Sequence, residues 1–211
     1  SHTVFVMDTT SPIIEEPEEV FFEAITHNNN EVKIPMIKSQ DNTEIASITN
    51  DAPTLFEFGT TLVTWTVVDT SGNSSTVDQE IHVIDTTQPI VAAPEDIQSE
   101  ATSMERNIVD YGFAEASDQV EVASITNDAP EAFPLGETIV TWTATDTSGN
   151  SATDIQYVIV EDTTVPSIQS PSDIEIEISD NSGMKLDIGL AVSTDIVEVA
   201  SITNDAPQAF T

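Results

Sequence analysis

A seven-residue segment of this chain occurs three times at a constant spacing, and that repeat limits the possible folds more than any single motif does. The segment Ser-Ile-Thr-Asn-Asp-Ala-Pro begins at residues 47, 124 and 201, a step of 77 residues each time. The same step separates Trp65 from Trp142 and residues 69–73 from residues 146–150. Since nothing is inserted or lost between copies, the pattern predicts a tandem array of one small domain.

The repeat also sets the expected domain boundaries. Residues 1–8 are expected to be the last strand of a preceding repeat, followed by complete repeats at 9–85 and 86–162. An incomplete repeat is expected at 163–211, which would need the equivalents of residues 135–162 to close its core. The chain is therefore expected to be an excerpt from a longer polymer of repeats, or to be completed by strands from a neighbouring copy. The sequence leaves both possibilities open.

The charge of the chain restricts its partners. Its 211 residues include 38 acidic and 4 basic side chains, a formal net charge of −34. Such a charge argues against nucleic acid and anionic membrane surfaces, and it favours divalent cations or a saline medium that screens the self-repulsion. The chain has no cysteine, so each small domain is expected to rely on metal binding or on packing between neighbours. No stretch is apolar and long enough to predict a membrane span.

Apolar and polar residues alternate along segments rich in Thr, Val and Ile, and helix-length periodicity is absent. In the second repeat this alternation predicts a Pro-led edge segment and five strands: 89–92, 97–101, 107–114, 122–127, 138–145 and 155–160. Within the long strand, the period of two places Val140, Trp142 and Ala144 on the core face. We therefore predict an all-β fold of tandem immunoglobulin-like β-sandwich domains with a 77-residue repeat.

The directions of the strands bring several acidic residues to one end of the second repeat. Successive antiparallel strands alternate between the two ends of a sandwich, so the loops at 117–119 and 146–150 return to the end at which the chain enters from the first repeat. The side chains expected there offer oxygen ligands and no opposing base: Asp85, Asp118, Asp146, Asn150 and Glu121. Clustered carboxylates repel one another unless a cation lies between them, and hard oxygen ligands on loops suit Ca²⁺. The pattern therefore predicts a calcium site at the domain junction.

The same register recurs in the other repeats. Equivalent ligands are predicted in the first repeat at Asp8, Asp41, Asp69 and Asn73, and in the third at Asp162 and Asp195. Two simpler interpretations stay open: residues 146–150 form a plain turn capped by its aspartate, or the acidic surface is merely solvated. Asp128 and Glu100, at the opposite end of the repeat, are not expected to reach the ion of the next junction.

The sequence carries no recognisable catalytic signature. His2, His27 and His82 occupy three unrelated repeat positions, and none adjoins a nucleophilic Ser in a known turn motif. His82 alternates outward on its strand and is expected to be a surface residue. We therefore predict that the protein is not an enzyme.

Several linked motifs in the second repeat resemble the hyalin repeat family. They are Asp85-Thr-Thr-x-Pro, Pro94-x-Asp-Ile-x-x-Glu-Ala-Thr, Phe133-Pro-Leu-Gly-x-Thr and Val140-Thr-Trp-Thr-Ala-Thr-Asp-x-Ser-Gly-Asn. The resemblance implies an immunoglobulin-like fold in tandem arrays on extracellular or cell-surface proteins, generally linked to adhesion. Calcium binding is not part of what the resemblance implies, and it remains a prediction from the placement of the aspartates.

Together these features predict an extracellular structural and adhesive protein, a semi-rigid rod or filament of Ca²⁺-stiffened repeats that serves as a surface stalk, sheath or self-assembling fibre. The expected partners are further repeats or neighbouring copies of itself, divalent cations, and cell-surface glycans or proteins. The alternative is a ligand- or carbohydrate-binding adhesin or spacer module attached to a larger extracellular enzyme. That alternative requires exposed aromatic side chains, for which Phe21 and Phe22 are the best candidates.

Overall fold

The structure, a computed structural model, describes residues 2–177 and 185–207. These residues form the all-β fold that the alternating pattern predicts. The strands are β1 (Ile13–Ile14), β2 (Val20–Glu23), β3 (Ser39–Gln40), β4 (Ile45–Asn50), β5 (Gly59–Asp69), β6 (Ser74–Ile84), β7 (Ile90–Ala92), β8 (Ile97–Glu100), β9 (Glu115–Ser117), β10 (Val122–Asn127), β11 (Gly136–Asp146), β12 (Ser151–Glu161), β13 (Ser167–Gln169) and β14 (Val192–Thr194). None of the described residues belongs to a helix that is long and apolar enough to cross a membrane.

The chain divides into two compact units, and neither coincides with a single repeat. The first unit holds the chain up to residue 92 together with residues 115–126 and 143–153. The second holds residues 93–114 and 127–142 and the described residues from 154 onward. The first unit therefore contains the whole first repeat and also the two loops of the second repeat that carry Asp118 and Asp146.

Each complete repeat contains one four-stranded sheet with the same order of strands. The order is β2-β6-β5-β4 in the first repeat and β8-β12-β11-β10 in the second, and the pairs β1-β3, β7-β9 and β13-β14 form small additional sheets. Most neighbours are antiparallel, but β2 runs parallel to β6 and β8 runs parallel to β12. In these parallel pairs Glu23 lies opposite Ile84 and Glu100 lies opposite Glu161. A glutamate is therefore placed where the chain leaves each repeat.

The long strands supply the core, and they do so through the face that the period of two predicts. The predicted core residues of β11 are 0%, 3% and 0% exposed: Val140, Trp142 and Ala144. The indole Nε1 of Trp142 donates a hydrogen bond to Oε1 of Gln156 at 3.3 Å, and Trp65 donates to Gln79 at 2.9 Å. Since a buried indole N–H needs an acceptor, a buried glutamine accompanies the core tryptophan in both repeats.

The segment 107–114 does not form the strand predicted from its sequence pattern. Asn107 makes only an isolated bridge with Phe133, and its buried side chain is hydrogen-bonded to the backbone of neighbouring loops. Asp110 then accepts the backbone N–H of Gly112, which has a φ of +79°. The buried Asn107 side chain and the glycine turn therefore override the alternating pattern. The strand that forms next along the chain is the three-residue β9.

The segments that flank the two complete repeats contain little strand. Residues 2–8, predicted to be a strand of a preceding repeat, form no strand, and the side chains of residues 4–7 are exposed. Among the described residues of the third repeat, β13 and β14 pair antiparallel, with Ile168 opposite Ser193. The repeat boundaries at 8, 85 and 162 remain a prediction.

Candidate metal centre

Three aspartates of the second junction lie together in the first compact unit. Asp85 follows β6, Asp118 follows β9, and Asp146 is the last residue of β11. One carboxylate oxygen of each lies within 4.8 Å of the other two. Asp85 and Asp146 are only 6% and 2% exposed. In the part of the chain that the structure describes, no Lys or Arg forms an ion pair with these carboxylates, so their mutual repulsion is not relieved by a basic side chain.

Asp146 holds the loop after β11 in a tight turn. Its Oδ1 accepts the backbone N–H groups of Ser148 and Asn150, both at 2.8 Å, and its Oδ2 accepts the side-chain amide of Asn150 at 2.8 Å. Burial opposes the ionisation of Asp146, but the hydrogen bonds from Asn150 and Ser148 outweigh it and lower the pKa of this carboxyl. The turn therefore holds Asp146 as a fixed carboxylate beside the other two aspartates.

Asp118 provides the carboxylate oxygen that most needs a ligand. Its Oδ1 accepts the backbone N–H of Val120 at 2.8 Å. Its Oδ2 is shielded from solvent and has no hydrogen-bond partner. A buried carboxylate oxygen without a donor costs free energy, and a bound cation would satisfy it.

Asn150 fastens the loop to the linker between the repeats. Its Nδ2 donates to the backbone carbonyl of Asp85 at 3.1 Å as well as to Asp146. The hydroxyl of Ser148 also donates to Oδ2 of Asp85, at 3.2 Å. The sequence predicts Asn150 as a metal ligand, and in the structure its amide nitrogen is a hydrogen-bond donor that positions Asp85.

The first repeat carries the same arrangement. One oxygen of each of Asp8, Asp41 and Asp69 lies within 4.8 Å of the others. Asn73 repeats the role of its counterpart by donating to the Asp8 carbonyl at 3.3 Å and to Oδ2 of Asp69 at 2.8 Å. The hydroxyl oxygen of Thr43 lies 3.0 Å from Oδ2 of Asp8 and 2.9 Å from Oδ2 of Asp41. The cluster is therefore a repeated feature of the chain rather than an accident of one loop.

At the third junction the two predicted residues are also neighbours. Partial desolvation, the nearby carboxylate of Asp195 and that of Glu100 raise the pKa of Asp162. Asp195 follows β14 and accepts the backbone N–H of Val197 at 3.0 Å. Acidic groups thus crowd this junction as well.

Each linker is capped by a glutamate that the sequence pattern does not predict. Glu23 accepts both the backbone N–H and the hydroxyl of Thr86 at 2.8 Å, and the hydroxyl of Thr87 at 2.8 Å. Glu100 makes the equivalent bonds to the linker at 162–164. Glu100 therefore reaches the next linker, because its strand runs parallel to β12 and ends beside that linker. That it does not reach an ion at that junction stays a prediction. The constant step of 77 residues between the two glutamates was the available signal.

Removing this cap is expected to reduce the sensitivity of the fold to acid. Hydrogen bonds from Thr163 and Thr164 lower the pKa of Glu100, so its contribution to stability is present above the unfolded-state pKa and is lost as the pH falls through the lower folded-state value. Glu100→Gln should lower the melting temperature at about pH 7. The difference in melting temperature between the variant and the wild type should shrink as the pH falls towards about 3. Glu105→Gln, at an exposed position, is the matched control. If the melting temperatures of the wild type and Glu100→Gln were equal at every pH, this role would be contradicted.

The fold and the repeated acidic clusters place the chain in one structural class, an array of immunoglobulin-like β-sandwich repeats with acidic residues gathered at each junction. Residues 84–160 match the HYR domain family, which confirms the resemblance seen in the sequence motifs. The chain is 33% identical over 184 residues to hyalin from Strongylocentrotus purpuratus, covering 81% of this chain and 15% of that protein. It is 32% identical over 190 residues to hyalin from Lytechinus variegatus, covering 81% of this chain and 35% of that protein.

The chain thus spans only a minor part of either hyalin. Hyalin and HYR-family proteins are extracellular or cell-surface proteins of an adhesion type, which agrees with the predicted location.

Cadherin ectodomains are among the solved structures that resemble this chain weakly. N-cadherin EC1-4 from Drosophila is 16% identical with a TM-score of 0.35, over 72% of this chain and 50% of that chain. Human CDH23 EC21-23 is 13% identical with a TM-score of 0.36, over 89% of this chain and 80% of that chain. A likeness of this degree carries no argument about function.

Proposed function

We propose that the protein is an extracellular structural and adhesive element, a semi-rigid rod or filament of repeats that are stiffened by Ca²⁺ at each junction. Its partners are further repeats and neighbouring copies of itself, with divalent cations bridging the acidic surfaces. The cluster of Asp85, Asp118 and Asp146 carries this proposal, because it gathers three carboxyl ligands without a basic partner and leaves one buried oxygen unsatisfied.

The donor set fits calcium better than the other common protein metals. All the candidate ligand atoms at the junction are oxygens, and Ca²⁺ takes carboxylate, carbonyl and water oxygens in a flexible geometry. Zn²⁺ prefers imidazole or thiolate ligands, and neither group belongs to this cluster. Waters would complete the coordination shell. The large negative charge of the chain, −34, adds a general attraction for cations.

An ion at this cluster would restrain the linker through three separate segments of the chain. Asp85 belongs to the linker itself, while Asp118 lies in the loop after β9 and Asp146 ends β11. Val120, two residues after Asp118, also packs against the core of the first repeat. With the ion bound, the three segments that carry these aspartates would be held together by their shared coordination of the ion. Without it, the repulsion between the carboxylates favours separation of the same segments.

Calcium is therefore expected to narrow the range of distances between the first and second repeats. Because the chain has no cysteine, Thr54→Cys and Glu131→Cys introduce two spin labels at exposed positions one repeat apart. Pulsed electron paramagnetic resonance should show a narrower distance distribution in calcium than in chelator at constant ionic strength. The same labels in an Asp118→Asn/Asp146→Asn background should give the broad distribution in both solutions. Equal widths for the parent chain with and without calcium would refute the stiffening mechanism.

A further inference from the structure

The outer face of the first-repeat sheet carries a second group of metal-ligating side chains, separate from the aspartate clusters. Glu19 directly precedes β2, while Glu80 and His82 lie on β6. One ligand atom of each lies within 4.8 Å of the other two. His82 is opposite Phe21 on β2 and opposite Thr60 on β5. Because side chains two residues apart share a face of a strand, these five residues form one patch.

His82 is less accessible than its outward position predicts. The ring of Phe21 stacks on it with centroids 4.6 Å apart, and the His82 side chain is only 17% exposed. Its Nδ1 lies 2.9 Å from the hydroxyl oxygen of Thr60. Its Nε2 is shielded from solvent and has no hydrogen-bond partner. A shielded ring nitrogen without a partner is uncommon and points to a missing ligand.

The spacing around Nε2 is that of a metal site. Nε2 lies 3.3 Å from Oε2 of Glu80 and 3.6 Å from Oε2 of Glu19. Two ligand atoms of a tetrahedral zinc ion, each at about 2.0–2.1 Å from the metal, lie about 3.4 Å apart. When the Nδ1–H group donates a hydrogen bond to the hydroxyl oxygen of Thr60, Nε2 carries the lone pair that a metal requires. Metal-binding histidines almost always use their other ring nitrogen as a donor in this way.

We propose that Glu19, Glu80 and His82 bind a divalent transition metal ion of the Zn²⁺ type. The imidazole selects such an ion over Ca²⁺ and Mg²⁺, which prefer oxygen ligands alone. Three protein ligands leave a coordination position open to water or to an external ligand. The second repeat has other residues at the equivalent positions: Asp96, Tyr157 and Ile159. The second repeat therefore lacks this site, and the site does not depend on calcium at the junctions.

Calorimetric titration of the whole chain with ZnCl₂ tests this site. Excess CaCl₂ in the buffer limits competition from the acidic clusters. The wild type should bind a single zinc ion at the site, and His82→Gln should weaken that binding by about 100-fold or more. Thr60→Val, which removes only the acceptor for Nδ1, should weaken it by about 10- to 100-fold. His27→Gln, which changes a histidine outside the patch, should leave the isotherm unchanged.

Folding of the variants is checked by thermal melts in chelator. His82→Gln and Glu80→Gln should melt close to the wild type there, and zinc should raise the melting temperature of the wild type only. Equal zinc binding by the wild type and both variants would overturn the proposal. It would also be overturned if ¹⁵N spectra in chelator at neutral pH showed the proton of His82 on Nε2, because the ring would then be a donor to the glutamates.

Discussion

Trp142→Ala is expected to destabilise the second repeat by roughly 3 to 5 kcal/mol, the usual cost of removing a large buried aromatic side chain. The residue is almost fully buried, so its loss leaves a cavity that the surrounding strands can fill only in part. The change also removes the donor to Oε1 of Gln156. That amide in turn donates to the backbone carbonyls of Glu95 and Tyr111, at 2.8 and 2.9 Å. The tryptophan therefore supports both the packing and the polar bridge of this repeat.

Denaturant unfolding followed by circular dichroism measures this effect. Trp142→Phe keeps a phenyl ring but loses the N–H and the rest of the indole, so it should cost less than Trp142→Ala and at least the about 1–3 kcal/mol of the unpaired amide oxygen. Trp65→Ala is the matched control in the first repeat. Since the chain has two tryptophans, each alanine variant keeps one fluorophore that reports on the other repeat. A midpoint for Trp142→Ala within the error of the wild type would show that this side chain does not hold the core.

Much of the fold could be predicted because its strands are long and have one buried face. In β11 the alternation of Val140, Trp142 and Ala144 with polar residues leaves one choice of inward face, and the structure has that face. The segment 107–114 has a similar pattern and is not a strand. There the burial of the Asn107 amide and the glycine turn prevent a strand. The local alternation of apolar and polar residues reveals neither of them.

The aspartates could be brought together from the sequence because each is at the end of a strand or in a loop, and the repeat fixes their register. The linker glutamates could not be placed in the same way. Their position depends on the parallel pairing of β2 with β6 and of β8 with β12, and the sequence does not indicate which strands pair in parallel. The shielding of His82 likewise depends on Phe21, which is remote in sequence and adjacent only across the sheet.

Calcium is expected to stabilise the chain, and an Asp118→Asn/Asp146→Asn variant is expected to lose a large part of that effect. If the affinity lies in the range of extracellular modules, about 10⁻⁴–10⁻³ M, then about 10 mM calcium stabilises each site by roughly 1.4 to 2.7 kcal/mol. In chelator the variant should be less stable than the wild type, because Asp146→Asn loses the charge-assisted hydrogen bonds from Ser148 and Asn150 that hold the turn after β11. Thermal melts in calcium and in chelator, at constant ionic strength, measure both effects.

The matched control removes two acidic charges elsewhere on the surface. Glu105→Gln/Glu131→Gln changes two exposed glutamates of the second repeat. It should keep the full calcium-dependent rise in melting temperature. An equal loss in this control would mean that calcium acts only by screening the overall charge.

Direct titration of calcium into the wild type and the Asp118→Asn/Asp146→Asn variant, by calorimetry at constant ionic strength, tests the central claim that the junction aspartates form a calcium site. The wild type should show saturable binding, and the variant should bind one ion fewer while the Asp8, Asp41 and Asp69 cluster continues to bind. Identical isotherms for the two proteins would contradict the claim and would leave these acidic clusters as turns and solvated surface.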